Sequence, residues 1–364
     1  MGEDIGARLA AYAKATRLGS QGIEEWTKRL TALIEAQPGV AKPVLVSNVR
    51  PVDGGAGSSS GTLLFDAQWN ERQAALVLRF VPAKTLFDSY DLEAQVTIQR
   101  ALDSVGIPVP KQLFTDFDGR YMGVSSYVMQ RVEGEAAPIS WQTTGVIADA
   151  TPAMRSSMIE DYLRTLARIH AVDWRGLGLG FLEKRANDNK PIARETHWYW
   201  PMLQRNGTPG AVDRFAKAYR WIIDNEPEIA RPVLCHGDTN LTNNLFRDGK
   251  VVAVIDWEMA FLGTPECDLA YMENMLTPIG QDYMAIDGVP TLDDIQRKYE
   301  SLSGYRLQNM AYYRVFSTLR TAIIWNIATA QFPPDLQEAF AFANRYIEQK
   351  LDSHLAAAGG RSAG

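Results

Sequence analysis

Leu234-Cys235-His236-Gly237-Asp238-Thr239-Asn240-Leu241-Thr242-Asn243-Asn244-Leu245-Phe246, followed by Val251-Val252-Ala253-Val254-Ile255-Asp256-Trp257-Glu258, sets carboxylates and a carboxamide around one short hairpin. Asp248-Gly249 is a two-residue turn signal between an apolar stretch and a β-branched run. With those two residues as the loop, Asn243 faces Val254, and Asp256 lies two residues further along the same strand. Period-two alternation then brings Asn243 and Asp256 out on one face at the open end of the hairpin. Such diagonal neighbours are ~7–8 Å apart, close enough for two side chains to converge on one ion. Asp238 lies five residues before Asn243, and five helical steps of roughly 100° would separate them, so residues 236–243 read as a loop. Hard oxygen ligands of this kind suit magnesium, which takes one or two protein carboxylates together with substrate phosphates.

His236-Gly237-Asp238 with Asn243, then Ile255-Asp256-Trp257-Glu258 and Asp268-Leu269-Ala270, resembles the aminoglycoside phosphotransferase family of kinase-like enzymes. The nearest branch holds the kinase-like domains of the long acyl-CoA dehydrogenases and many uncharacterised bacterial phosphotransferases. The resemblance runs from about residue 45 to 345 and is specific over 234–272. It implies that Asp238 orients or deprotonates an acceptor hydroxyl, and that Asn243 and Asp256 hold Mg2+ against the ATP phosphates. Asp268 carries over as a support of the catalytic loop. His236 reads as a buried scaffold residue. Asn240 and Asn244 read as bystanders, with Asn244 an off-by-one rival for the ligand position. Any one Asp or Asn beside a hairpin is more often a turn or cap residue. Three polar groups at one end of an apolar hairpin, however, have no packing purpose.

At 364 residues the chain is long for one core, and two lobes are the natural arrangement. Apolar content of 46% and charged content of 22% describe an ordinary globular protein. A net charge of −6 offers nothing to nucleic acid or to an anionic membrane surface. The two cysteines, Cys235 and Cys267, suggest neither zinc nor a disulfide framework, which fits a reducing cytoplasm. Four scattered histidines are too few for a metallophosphatase. No signal-peptide core or run of ~20 apolar residues is visible.

Residues 3–16 and 21–36 read as helices, and 44–80 as strands. Asp53 to Thr62 is a Gly/Ser loop whose main-chain N–H groups could close over phosphates, and Gly57, Ser58, Ser59 and Ser60 are its nucleotide-binding candidates. As a turn it would need no ligand. Ala75 to Phe80 reads as a strand presenting Arg79 where kinases usually carry the phosphate-contacting lysine. Arginine there is common in this branch, although it is not a neutral replacement. The helix from Asp91 to Leu102 should supply an acidic partner, yet alignment on Arg100-Ala101-Leu102 puts Gln95 at that place. Glu93 points nearly the opposite way, roughly 200° around the helix. Either Gln95 makes a neutral hydrogen bond to Arg79, or the register shifts and Glu93 serves.

Gln130 to Gly134 resembles the linker between lobes, with Gln130 and Val132 placed to meet the adenine edge. Residues 152–172 and 211–227 read as helices, 183–196 as a polar loop, 292–351 as mostly helical, and Ala356 to Gly364 as a disordered tail. His170 reads as a satisfied core histidine. The run His197 to Leu203 either staples a helix to the core or walls an acceptor pocket, and Trp325 and Asn326 could add to that wall.

The expectation is a two-lobed, protein-kinase-like α/β (α+β) fold. An antiparallel-sheet lobe occupies residues 1–132, a mainly helical lobe 133–355 and a tail 356–364. The expected activity is transfer of the ATP γ-phosphoryl group, with Mg2+, to a hydroxyl of a small molecule, first a metabolite such as a hydroxyacyl-CoA. An antibiotic (aminoglycoside or macrolide) kinase comes second and a nucleotide-binding pseudokinase, supported by Gln95, third. The identity of the acceptor, ATP against GTP, and oligomeric state stay open at this level.

Overall fold

A computed structural model describes residues 22–52, 61–184, 190–277 and 286–359 of the chain. The expected helix 3–16 and the Gly/Ser loop candidates Gly57, Ser58, Ser59 and Ser60 lie outside these residues. The chain forms a two-lobed kinase-like α/β fold and divides into two units. One comprises Met1–Gly134 with Ala253–Glu258, the other Glu135–Val252 with Met259–Gly364.

The first unit is a five-stranded antiparallel sheet made by β1 (Leu45–Pro51), β2 (Gly61–Trp69), β3 (Arg72–Phe80), β4 (Gln112–Asp116) and β5 (Ser126–Gln130), in the order β1-β2-β3-β5-β4. Asn70 and Glu71 both take positive φ, the mirror-image turn that suits the twist of β2 and β3. Alternation gives the sheet two faces. Leu63, Phe65, Leu76, Leu78 and Phe80 pack under helix α1 (Ile23–Glu35), where the Trp26 and Phe80 rings lie 4.7 Å apart. Val77 and Tyr127 face helix α2 (Leu92–Ser104), along with its buried Leu92 and Val96. Arg79, two residues from Val77, emerges on the α2 face, opposite Thr62 on β2 and Tyr127 on β5.

The second unit is mainly helical. Helix α3 (Pro152–Ala171) starts on the Thr151 cap with Pro152 in the first turn. Helices α4 (Pro191–Asn206) and α5 (Ala211–Asp224) follow, then α6 (Pro265–Leu276), α7 (Leu292–Ser303), α8 (Met310–Ala330) and α9 (Pro334–Gly359). Strand β7 (Val233–Cys235) pairs antiparallel with β10 (Phe261–Gly263). Strands β6 (Glu135–Ala136), β8 (Asn244–Arg247) and β9 (Lys250–Val254) make a small sheet in the order β6-β8-β9. Asp248 (φ 51°) and Gly249 (φ 74°) join β8 to β9, so the hairpin turn forms as the Asp-Gly signal requires.

Two expectations change. Residues 191–196 are not loop but the first turns of α4. The Glu226 carboxylate accepts the N–H groups of Ile192 (3.0 Å) and Ala193 (2.8 Å), a cap from a residue remote in sequence. Residues 356–359, assigned to the tail, continue α9 because Leu355 and Ala358 stay buried. The aromatic run acts as a staple: Trp200 of α4 stacks on Tyr219 of α5, with ring centroids 4.0 Å apart.

Candidate active site

In the first unit Arg79 and Asp256 form a buried ion pair, Nη2 to Oδ1 2.8 Å, with side chains only 9% and 10% exposed. Burial alone would lower the basicity of Arg79. The charges of Asp256, Tyr127 and Glu258 outweigh it and hold the guanidinium more strongly protonated than in water. Asp256 takes φ 68°, a left-handed backbone that a non-glycine residue adopts only when its surroundings enforce it. Arg79 Nη1 also approaches Thr62 Oγ1 at 3.5 Å, and its buried Nε has no hydrogen-bond partner.

The acidic partner expected from α2 is therefore neither of the two candidates. Glu93 is exposed to solvent, while Gln95 is buried with its Oε1 unbonded. The carboxylate comes from Asp256, 177 residues along the chain. Tyr90, whose hydroxyl donates to Glu258, is another neighbour that the sequence reading missed. Gln130 ends β5 with its N–H bonded to the Lys111 carbonyl (2.9 Å), and Val132 lies just beyond, half-buried.

In the second unit the loop between β7 and β8 is held from several sides. Asp268, fully buried on α6, accepts the main-chain N–H groups of His236 (2.8 Å) and Gly237 (2.9 Å) and bonds His170 Nε2 (3.0 Å). Its own carbonyl receives the Thr239 hydroxyl at 2.6 Å. Gly237 has φ 84°, and a Cβ there would stand 2.0 Å from the Met259 carbonyl oxygen. The loop can pass the Met259 backbone only as glycine. Gly237→Ala is accordingly expected to cost more than the ~1–2 kcal/mol of a left-handed residue alone. A urea melt checks it, and wild-type stability would mean the loop shifts freely.

Asp238 follows. Its Oδ2 accepts from Asn243 Nδ2 at 2.8 Å and its carbonyl from the same nitrogen at 3.0 Å, while its N–H donates to His236 Nδ1 at 3.2 Å. Both amide hydrogens of Asn243 are thus committed to Asp238, which leaves the amide oxygen as the group able to take a cation. Asn240 caps the 3-10 turn Leu241–Asn243 by accepting the Thr242 N–H (3.3 Å), and Asn244 donates to the Asn240 carbonyl (2.9 Å). Both have turn-forming roles.

Tyr271 also belongs to this group. Burial pushes its hydroxyl well above the usual phenol range, and the Asp238 charge and a hydrogen bond to Asp238 add to the shift. It lies three residues after Asp268 on α6, a spacing that shares a helix face. Behind it Arg320 of α8 is 2% exposed, its guanidinium 4.9 Å from the Tyr271 ring centroid and 5.1 Å from that of Phe261. His170, Cys235 and Asp268 cluster in the same core. Both His170 nitrogens are engaged, with Tyr299 (2.6 Å) and Asp268, so the cluster reads as a hydrogen-bonded support and not a metal centre. His170 is a core histidine as expected, but with a carboxylate partner 98 residues away.

Burial tends to raise the Asp268 carboxyl, yet the His170 hydrogen bond, the His170 and His236 rings and the Gly237 N–H together hold it below the ordinary carboxylate range. A depressed folded-state pKa contributes stability that is present above the unfolded value of ~3.9 and is lost as pH falls through the folded value. Denaturant melts should therefore steepen in their loss of stability below about pH 4 in the wild type and less so in Asp268→Asn. Parallel curves would remove Asp268 as the source.

A model of the phosphotransferase enzyme family matches residues 56–306. The chain belongs to this family. It is an enzyme of the phosphotransferase class. The phosphotransferase is 30% identical over 262 residues to mouse acyl-CoA dehydrogenase family member 10, covering 68% of this chain and 24% of that one. It spans between 24% and 39% of the curated relatives it matches. Its fold is similar to that of a Ralstonia eutropha protein provisionally assigned as an aminoglycoside phosphotransferase, with a TM-score of 0.68, 19% identity, and coverage of 92% of this chain and 98% of the other. It is similar too to Plasmodium vivax ethanolamine kinase, with a TM-score of 0.60, 13% identity, and coverage of 97% and 93%. Among the described residues of the phosphotransferase, no helix is long and apolar enough to cross a membrane.

Proposed function

We propose that the protein transfers the γ-phosphoryl group of ATP, in the presence of Mg2+, to a hydroxyl of a small molecule held beside Asp238. The observation that carries this is the Asp238–Asn243 arrangement, which leaves one carboxylate and one amide oxygen supported by five hydrogen bonds to Asp268, His236 and Asn243. Each taken within its own unit, the Asn243 oxygen and the Asp256 carboxylate are hard ligands of the kind Mg2+ takes alongside phosphates. Mg2+, when bound, would neutralise charge on the donor phosphates. Arg79, with an unpartnered buried Nε and a guanidinium fork, is suited to a phosphate oxygen. Asp238 would orient the acceptor hydroxyl and take its proton, with Tyr271 fixing the carboxylate. Gly57 to Ser60, and the backbone at Gln130 and Val132, are the proposed nucleotide contacts.

For the acceptor, an aminoglycoside-type antibiotic now takes precedence over a hydroxyacyl-CoA. The thioester reading leans on relatives named for acyl-CoA dehydrogenation, and this chain covers 24% of the mouse protein. That name describes proteins made mostly of other sequence. Several fold neighbours are named for amino-bearing alcohols, although identity of 13–19% carries the fold alone. The pseudokinase reading rests on Gln95, which puts no carboxylate on the helix beside Arg79, and ATP binding without acceptor-stimulated release would favour it.

The test is Mg2+-dependent release of ADP from ATP across aminoglycosides, macrolides, hydroxyacyl-CoA thioesters and simple amino alcohols. Acceptor-stimulated release abolished by chelation is expected. Release that ignores both chelator and acceptor would end this reading.

A further inference from the structure

Away from Asp238, and wholly within the second unit, residues of helices α6, α7, α8 and α9 line an open cavity of about 290 Å³. Glu273, Arg314, Lys350 and His354 supply its charged and titratable walls, and Leu292, Ala311 and Ala357 an apolar one. The charges do not balance. Glu273 is already taken by Arg314, through Nε at 2.7 Å and Nη2 at 3.1 Å, and by the Gln296 amide. Asp293 acts on Arg314 from α7. Lys350 makes no ion pair or hydrogen bond among the described residues, and the carboxylate that acts on it, Glu273, is shared with Arg314.

Burial and neighbouring charge act in the same sense. Burial lowers Lys350 to about 8, only partly opposed by Glu273. Burial, then Lys350 and Arg314, lower His354 to about 4, and its Nδ1 is engaged with Thr318 Oγ1 at 2.9 Å. At neutral pH the cavity therefore holds a charged lysine and a neutral histidine. The Asn274 amide is spent on Ser317 (2.9 Å) and Thr318 (3.3 Å), which fixes the wall between α6 and α8.

We propose that this cavity binds a small organic anion, its head on Lys350 and Arg314 and its apolar body against Leu292, Ala311 and Ala357. The head supplies the missing negative charge, and a desolvated charge-assisted contact gains more than a surface one. The volume lies at the small end of ligand pockets, which run roughly 300–1,000 Å³, so a single-ring carboxylate suits it. The same helix carries Asp268 at one end and Glu273 at the other, so an occupant would press on the element that holds the Asp238 loop.

Benzoate is the probe, with inorganic phosphate as a head without a body, titrated by calorimetry into the full chain at pH 7 and pH 9.5. Saturable benzoate binding is expected at pH 7 and weaker binding at pH 9.5, where Lys350 has lost its proton. Lys350→Gln should weaken it about tenfold or more, and Lys350→Arg should bind equally at both pH values. In the wild type, competitive amine labelling read by mass spectrometry should give Lys350 an apparent pKa near 8 that rises with benzoate. Unchanged binding in Lys350→Gln, phosphate binding without benzoate binding, or labelling indifferent to benzoate would each overturn the site. The labelling decides alone if the variants do not fold.

Discussion

Asp238→Asn is expected to lower turnover ~10²–10⁴-fold, the range attributable to a positioned general base, with ATP affinity retained. The substitution is close to silent in shape. An asparagine Oδ1 can still accept from Asn243, and the Asp238 N–H and carbonyl keep their partners His236 and Asn243. What disappears is the charge and the capacity to take a proton. Pre-steady-state transfer would fall while nucleotide binding by calorimetry, and the melting temperature, would stay near wild type. Each lost decade corresponds to ~1.4 kcal/mol of barrier. Equal turnover in the variant would remove Asp238 from the chemistry. A variant that loses ATP binding as well would instead make it a structural prop.

The parts of this architecture that were legible in sequence are those settled by local rules. Asp248-Gly249 forces its own turn, and Val77 and Arg79 share a face because strands alternate. The family motif names Asp238, Asn243 and Asp256 because their spacing is short. Contacts that close over long separations were not legible. Helix α2 offered Gln95 and Glu93 as partners for Arg79, and the partner is Asp256, 177 residues along the chain. Glu226 caps α4 from a different helix–strand connection, which is why 191–196 looked like loop. His170 has no carboxylate near it in sequence but meets Asp268 in the core. Tyr271 could have been found, being three residues after Asp268 on one helix face. Arg320 could not, since nothing local marks an arginine that will be ringed by Tyr271, Phe261, Phe316 and Tyr199.

The second large effect concerns the pair that now joins Arg79 to Asp256. Arg79→Met should destabilise the first unit by ~3–5 kcal/mol, because it strands a carboxylate in a site that is nine-tenths buried. Asp256→Asn should do less harm, since the left-handed backbone at φ 68° tolerates asparagine and a neutral amide can still accept from the guanidinium. Combining the two removes both charges, and the double variant should recover much of the stability lost in Arg79→Met. Mg2+-ATP binding should not recover with it. Under the proposed function the pair would have to separate for Asp256 to take a metal and Arg79 a phosphate. Urea melts and ATP titrations with and without Mg2+, run on all four proteins, separate the outcomes. Stability and nucleotide binding that rise and fall together across the set would make the pair a structural ion pair only. Recovery of the first without the second would mark it as the nucleotide site.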